Sequence, residues 1–222
     1  MVRFETDPPL PGYVNMARDA GLLQCAESGV TGCRVYSWDG PWVSLGRSQS
    51  AQADLLDPGL VPWVTRPTGG KAVLHGHDVT VGLAVPLAAL KRSDESVQVL
   101  SRSVKMVYRR LAKPLIAALR DCGHDVALGE ETLFVGTGRK TSDCFAHVSP
   151  NDIVCVRTGA KACGCALRLT ARAVLLQASI PDGSPLVDPR LLFSQPHQVS
   201  LLRWDSSRFA ERLRERLKDP SL

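Results

Sequence analysis

The longest regular pattern in this chain is helical, and it stands among short strands. Across residues 96–122, Val97, Leu100, Val104, Val107, Leu111, Leu115 and Leu119 recur at the helical period. Gly123 supplies the residue type that stops such a helix. Pro114 is expected to kink the helix or split it in two, because proline cannot donate to the preceding turn. Shorter helices are predicted over residues 13–27, 52–56 and 209–217. Alternating or compact apolar runs predict strands over 33–38, 41–45, 61–65, 72–75, 80–86, 126–128, 153–156, 161–166 and 173–180. The strands at 72–75 and 80–86 are expected to pair across the turn His75-Gly76-His77-Asp78. Strands follow one another without a regular alternation with helices. The fold class is therefore α/β in the α+β sense, a mixed, largely antiparallel central sheet with flanking helices.

At 222 residues the chain is expected to form a single domain with its core over about residues 13–205. No window approaches the roughly 18 apolar residues of a membrane span, and the first nine residues lack the apolar run of a signal peptide, so a cytoplasmic protein is expected. Outside an oxidising compartment the seven cysteines do not predict a disulfide framework. No pair has the gap of a zinc knuckle, and Cys163-Gly164-Cys165 is too short for one. A zinc site from Cys144, Cys155, Cys163 and Cys165 is thus the weakest functional reading, and no metal is expected. The net charge of +5 favours acidic partners. Basic residues are dense only over 105–113 and 203–218, and with 5% aromatics nucleic acid is not an expected partner.

Three segments carry chemistry. In Arg66-Pro67-Thr68-Gly69-Gly70-Lys71-Ala72-Val73-Leu74-His75, paired glycines between strands let backbone approach a ligand, and Arg66 and Lys71 flank them with positive charge. A Gly-Gly hairpin with solvated charges is the plain alternative. In Ser142-Asp143-Cys144-Phe145, a cysteine in a polar loop is accessible, and a nearby cation would make it reactive; an inert thiol is the plain alternative. Asp143 would oppose the thiolate if its carboxylate faced the sulfur. In the segment from Gly159 to Ala166, strand alternation puts Lys161, Cys163 and Cys165 on one small-residue face, which suggests an ammonium aimed into a pocket; an edge-strand lysine is the plain alternative.

Together these segments resemble the biotin/lipoate protein ligase superfamily, in its lipoate–protein ligase A and cysteine-dependent octanoyltransferase branch. The resemblance runs from about Asn15 to Ile180. Met16-Ala17-Arg18-Asp19 with Leu22-Leu23 is similar to the family's first helix. Trp38-Asp39-Gly40-Pro41 and Leu45-Gly46-Arg47 with Gln49 are similar to its next two signatures. Residues 66–75 are close to its ligand loop, and Asn151-Asp152 leading to Gly159, Lys161, Gly164 and Ala166 matches its lysine motif. The ATP-dependent ligases of this branch commonly carry a C-terminal accessory domain. The 42 residues after Ile180 are too few for one, and none is expected.

The cysteine-dependent octanoyltransferases place a Cys-Phe pair ahead of the lysine, as Cys144-Phe145 does here. The resemblance therefore implies Cys144 and Lys161 as catalytic residues, and Arg66, Gly69, Gly70, Lys71, Ala72, His75, Gly164 and Ala166 as substrate-binding residues. It implies transfer of an octanoyl or lipoyl group from a thioester on acyl carrier protein, through a thioester on Cys144, to a lysine of a lipoyl domain or glycine cleavage H protein. That reaction needs no cofactor. An ATP-dependent lipoate–protein ligase, using ATP and Mg, is the first alternative. A non-catalytic protein that binds lipoyl domains or acyl groups is the second. Its best support is Gln177-Ala178-Ser179, where the family usually has His-Gly followed by Ser or Thr. Cys165 stands for a usual Ser, and Lys71 for a usual Arg or Gly. Arg66 is expected at the docking face.

Overall fold

The computed structural model describes residues 2–138, 141–197 and 204–218; Arg203, at the start of the second basic stretch, lies outside them. In chain order the elements are β1 (Arg3–Thr6), α1 (Gly12–Glu27), β2 (Gly32–Tyr36), β3 (Trp42–Leu45), α2 (Ala51–Asp54), β4 (Trp63–Thr65), β5 (Val73–His75), β6 (Asp78–Pro86), α3 (Leu87–Leu90), α4 (Val97–Ser101), α5 (Val104–Asp121), β7 (Val126–Leu128), β8 (Ile153–Cys155), β9 (Lys161–Leu169), β10 (Ala173–Pro181) and α6 (Phe209–Arg216). A seven-stranded sheet has the order β1-β2-β6-β10-β9-β8-β7, and a three-stranded sheet has the order β4-β3-β5. Only β1 with β2 and β3 with β4 are parallel pairs; the other pairs are antiparallel. This is the mixed, largely antiparallel sheet that the strand pattern predicts.

The large sheet is covered on both faces, and the face under α1 mixes apolar residues such as Ala84 and Leu175 with buried polar ones. Val35, Val81, Leu83 and Leu176 point to the side where Leu111, Leu115 and Leu119 of α5 and Phe209 and Leu213 of α6 complete the main core. Fully burying each such leucine is worth roughly 1.5–3 kcal/mol. The alternate residues Arg34, Tyr36, Thr80, Gln177 and Ser179 are buried on the other face, beneath α1 and the small sheet. Gly82 sits there because a Cβ would lie 2.4 Å from the Asp19 carboxylate, so the bare backbone leaves room for α1 to lay Asp19 on the sheet. The small sheet encloses its own core around Val43, Leu45, Leu74 and Phe193. The chemistry-bearing segments meet between the two sheets.

The structure departs from the sequence reading at three places. β5 and β6 do not pair with each other; β5 pairs with β3 in the small sheet, and β6 with β2 and β10 in the large one. Gly76, at φ +105°, redirects the chain between them, against the Gly40 carbonyl that a Cβ would approach to 2.6 Å. A period of two identifies a strand without naming its partner. Second, the long helical pattern breaks at Arg102 and Ser103 and not at Pro114, which lies buried within the continuous α5. Ser103 caps α5 by accepting a hydrogen bond from the Met106 amide at 3.4 Å. Third, β1 carries no pattern long enough to read, with Phe4 its one large apolar residue; parallel pairing to β2 creates it.

Candidate active site

The glycine loop between β4 and β5 is built around Arg66, which is 5% exposed. Its guanidinium donates to the carbonyls of Ser44 (2.9 Å), Gly69 (2.6 Å) and Lys71 (2.7 Å). Arg66 thus organises the loop from inside, and its charge is not presented at a docking rim as expected. Burial pulls its pKa below the usual arginine value. Gly70 adopts φ +91°, and Gly46 lies so close that a Cβ on it would be 2.0 Å from the Gly70 carbonyl oxygen. Gly69 is half-buried, Gly70 and Lys71 are exposed, and Ala72 is buried. Ala72 fastens the loop to the cysteine segment. Its amide donates to Ser142 O and its carbonyl accepts from the Cys144 amide, both at 2.8 Å.

Lys161 completes the junction. Strand alternation places it with Cys163 and Cys165, but β9 contains a bulge: Ile153 faces Cys163 while Val154 faces Lys161, so two residues of β9 oppose one of β8. Ala162 and Cys163 therefore both enter the main core, and Lys161 turns to the opposite face, toward Cys144. Its Nζ lies 3.3 Å from Cys144 Sγ, 2.7 Å from Cys144 O and 2.9 Å from Asp152 Oδ2. Asp152 also accepts from Ser149 N at 2.7 Å and Ser149 Oγ at 2.8 Å. Burial works against the Lys161 charge, but Cys144 and Asp152 outweigh it and hold the ammonium above its usual range. Cys144 behaves in the opposite way to the expected activated thiolate. Burial pushes the thiol above 9.0, and the Lys161 charge only partly offsets it.

Asp143 faces away from this sulfur. One carboxylate oxygen accepts from the Phe145 amide at 2.9 Å, and the other takes His197 N (2.8 Å) and Nδ1 (2.7 Å). It caps the single turn of Cys144–Ala146, whose Cys144 lines one cavity and whose Phe145 and Ala146 line a second. The first, about 400 Å³ including its open mouth, is lined by Met16, Tyr36, Trp38, Val73, Cys144, Gly164 and Ala166 among others. Gly164 lets the sulfur in, since a Cβ there would lie 3.2 Å from it. The second, about 720 Å³ including its opening to solvent, is lined by His77, Phe145, Lys161 and His197 among others.

His75 belongs to the wall of the first cavity. It stacks on Trp38 with ring centroids 3.9 Å apart, and it lies 2.8 Å from both Asp78 Oδ2 and Ser44 Oγ. Asp78 also accepts from Thr80 at 3.0 Å and Ser179 at 2.6 Å. Burial works against the Asp78 charge, but His75 and the Ser179 hydroxyl hold its carboxyl below the usual range. Beneath the glycine loop runs a second buried network. Thr68 donates to Gln177 Oε1 at 2.6 Å, Gln177 Nε2 donates to Asp19 at 2.6 Å, and Asp19 accepts from Arg34 (2.6 Å) and Tyr36 (2.8 Å). Among the described residues no three His, Cys, Asp or Glu side chains cluster as metal ligands, and no helix is long and apolar enough to cross a membrane.

Cysteine and glycine loop thus meet at the wall of one apolar cavity with the lysine against the cysteine, and residues 11–186 match the family model of the lipoyl protein ligase A/B catalytic domain. The chain belongs to this family. It is 32% identical over 216 residues to the octanoyltransferase LipM of Kyrpidia tusciae, an alignment covering 92% of this chain and 71% of that protein. The fold is similar to a lipoate-protein ligase A solved with ATP (TM-score 0.67, 16% identity, 99% of this chain and 85% of that one). It is also similar to the bipartite lipoate protein ligase of Thermoplasma acidophilum, solved in a study with its E2 lipoyl domain (TM-score 0.58, 16% identity, 97% and 72%).

Within the lipoyl ligase frame, Gln177 has a defined place: it ties α1 to the glycine loop through Asp19 and Thr68. Reading motifs gives Asp19 and Asp78 no part in the site and passes over Arg34 and His197. Asp19 left one signal, because it shares the buried face of α1 with Met16 and Leu23, at spacings of three and four residues, where a carboxylate needs a partner. Nothing local marks His197, which meets Asp143 across 54 residues of sequence.

Proposed function

We propose that this chain moves an octanoyl group through a thioester on Cys144 in protein lipoylation. The observation that carries the reading is Cys144 Sγ at the wall of the apolar cavity, 3.3 Å from Lys161 Nζ. The family and its octanoyltransferase relative support the reaction class. The donor is an octanoyl thioester on acyl carrier protein. Cys144 attacks its carbonyl carbon, the carrier thiol leaves, and the acyl chain lies in the cavity against Met16 and Val73. Lys161 stabilises the thiolate and then the oxygen of the tetrahedral intermediate, a role that is worth about 3–4 kcal/mol where one such donor is removed.

The acceptor is a lysine amine on a lipoyl domain or glycine cleavage H protein. A lipoyl domain is the partner of the Thermoplasma ligase that shares the fold, and the +5 charge suits acidic partners. A thioester is already activated, so the reaction consumes no ATP and needs no Mg.

Incubation with octanoyl acyl carrier protein in the absence of ATP, followed by intact mass, tests this. An octanoyl adduct is expected on the wild type and absent from Cys144→Ala. Acceptor modification that requires ATP would replace the proposal with a ligase, and no transfer under either condition would leave a binding protein.

A further inference from the structure

The second cavity, lined by Phe145 and by the Lys161 that touches Cys144, holds a group that acylation does not use. Asp143, with its side chain 1% exposed, accepts from the backbone and Nδ1 of His197. A proton on Nδ1 directed at that carboxylate leaves the lone pair on Nε2. Among the described residues no protein group bonds Nε2, and the ring lines the cavity beside Lys161 and Phe145.

The second half of the proposed reaction needs such a base. When an amine attacks the acyl thioester, its nitrogen becomes positive and must lose a proton before the C–S bond breaks. Otherwise the amine is expelled. Lys161 keeps its ion pair with Asp152 at 2.9 Å, Asp152 is engaged by Lys161 and Ser149, and the Cys144 sulfur is acylated at this stage. His77 lines the same cavity, but among the described residues no carboxylate lies at hydrogen-bonding distance to orient it.

We infer that Asp143 and His197 are the base of the aminolysis step, with Nε2 taking the proton of a lysine amine that enters through this second cavity. The inference rests on the Cys144 thioester of the proposed function. The C–N bond forms, the amine proton passes to Nε2, and the C–S bond breaks with its electron pair leaving on sulfur beside Lys161. The imidazolium proton then returns to that sulfur or to water.

The test separates the half-reactions. Octanoyl-enzyme is formed with the octanoyl thioester of N-acetylcysteamine and chased in single turnover with a lipoyl domain or with hydroxylamine, a nucleophile that attacks without needing a base. His197→Asn keeps a donor to Asp143 but removes Nε2. Transfer to the lipoyl domain should fall about 100-fold or more, by the usual worth of general base catalysis. Formation of the acyl-enzyme and its cleavage by hydroxylamine should persist, and added imidazole should restore transfer to His197→Ala. Equal losses toward both nucleophiles, or wild-type transfer by His197→Asn, would overturn the inference while leaving the thioester reading intact. Failure of the wild type to form the acyl-enzyme would bring both down.

Discussion

Lys161 and Asp152 form an ion pair whose two side chains are 5% and 4% exposed, at 2.9 Å. At an effective dielectric of about 20 the gross attraction is roughly 6 kcal/mol, much of it offset by desolvating both charges. The pair as a whole therefore contributes little net stability, while either partner alone is costly. Lys161→Met fills similar volume but leaves the Asp152 carboxylate with only Ser149 to solvate it. It is expected to lower the unfolding free energy by about 3–5 kcal/mol. Asp152→Asn should cost less, because the Lys161 ammonium keeps the Cys144 and His147 carbonyls as acceptors.

The double variant Lys161→Met with Asp152→Asn should then recover about 2 kcal/mol or more relative to the sum of the singles. Urea unfolding of all four proteins measures this cycle, with unchanged slopes confirming a common denatured state. The pH dependence has a fixed sign. Folding raises the Lys161 pKa above 10.5, so the pair's contribution is complete below pH 10.5 and is lost as pH climbs through the raised folded-state value. Single-variant effects that add to within about 0.5 kcal/mol would refute the buried coupling.

Gly46→Ala introduces a Cβ 2.0 Å from the Gly70 carbonyl oxygen, so the glycine loop must shift by about 1 Å; octanoyl transfer should fall on the order of 100-fold, and steady-state rates near wild type would contradict the close approach. Alkylation of Cys144 by iodoacetamide, followed by mass spectrometry against pH, should show a midpoint above 9.0 because burial raises the thiol, and Lys161→Met should move it higher still. A midpoint near neutrality would mean that the resting sulfur is already a thiolate.

The sequence by itself determined a good deal. Helical period placed α1 and α5, a period of two placed most strands, and the ordered motifs singled out the glycine loop, Cys144 and Lys161 as candidates. These are local signals, carried by neighbouring residues or by spacing along one element. Tertiary structure decided everything that depends on which elements meet. Pairing assigned β5 and β6 to different sheets. A single extra residue in β9 moved Lys161 off the face that simple alternation gives it and onto Cys144. The contacts that hold the site span 109 residues from Thr68 to Gln177 and 158 from Asp19 to Gln177. A buried carboxylate or amide must find its partner somewhere, but sequence spacing cannot say where, because the desolvation cost that demands a partner is indifferent to how far along the chain the partner lies.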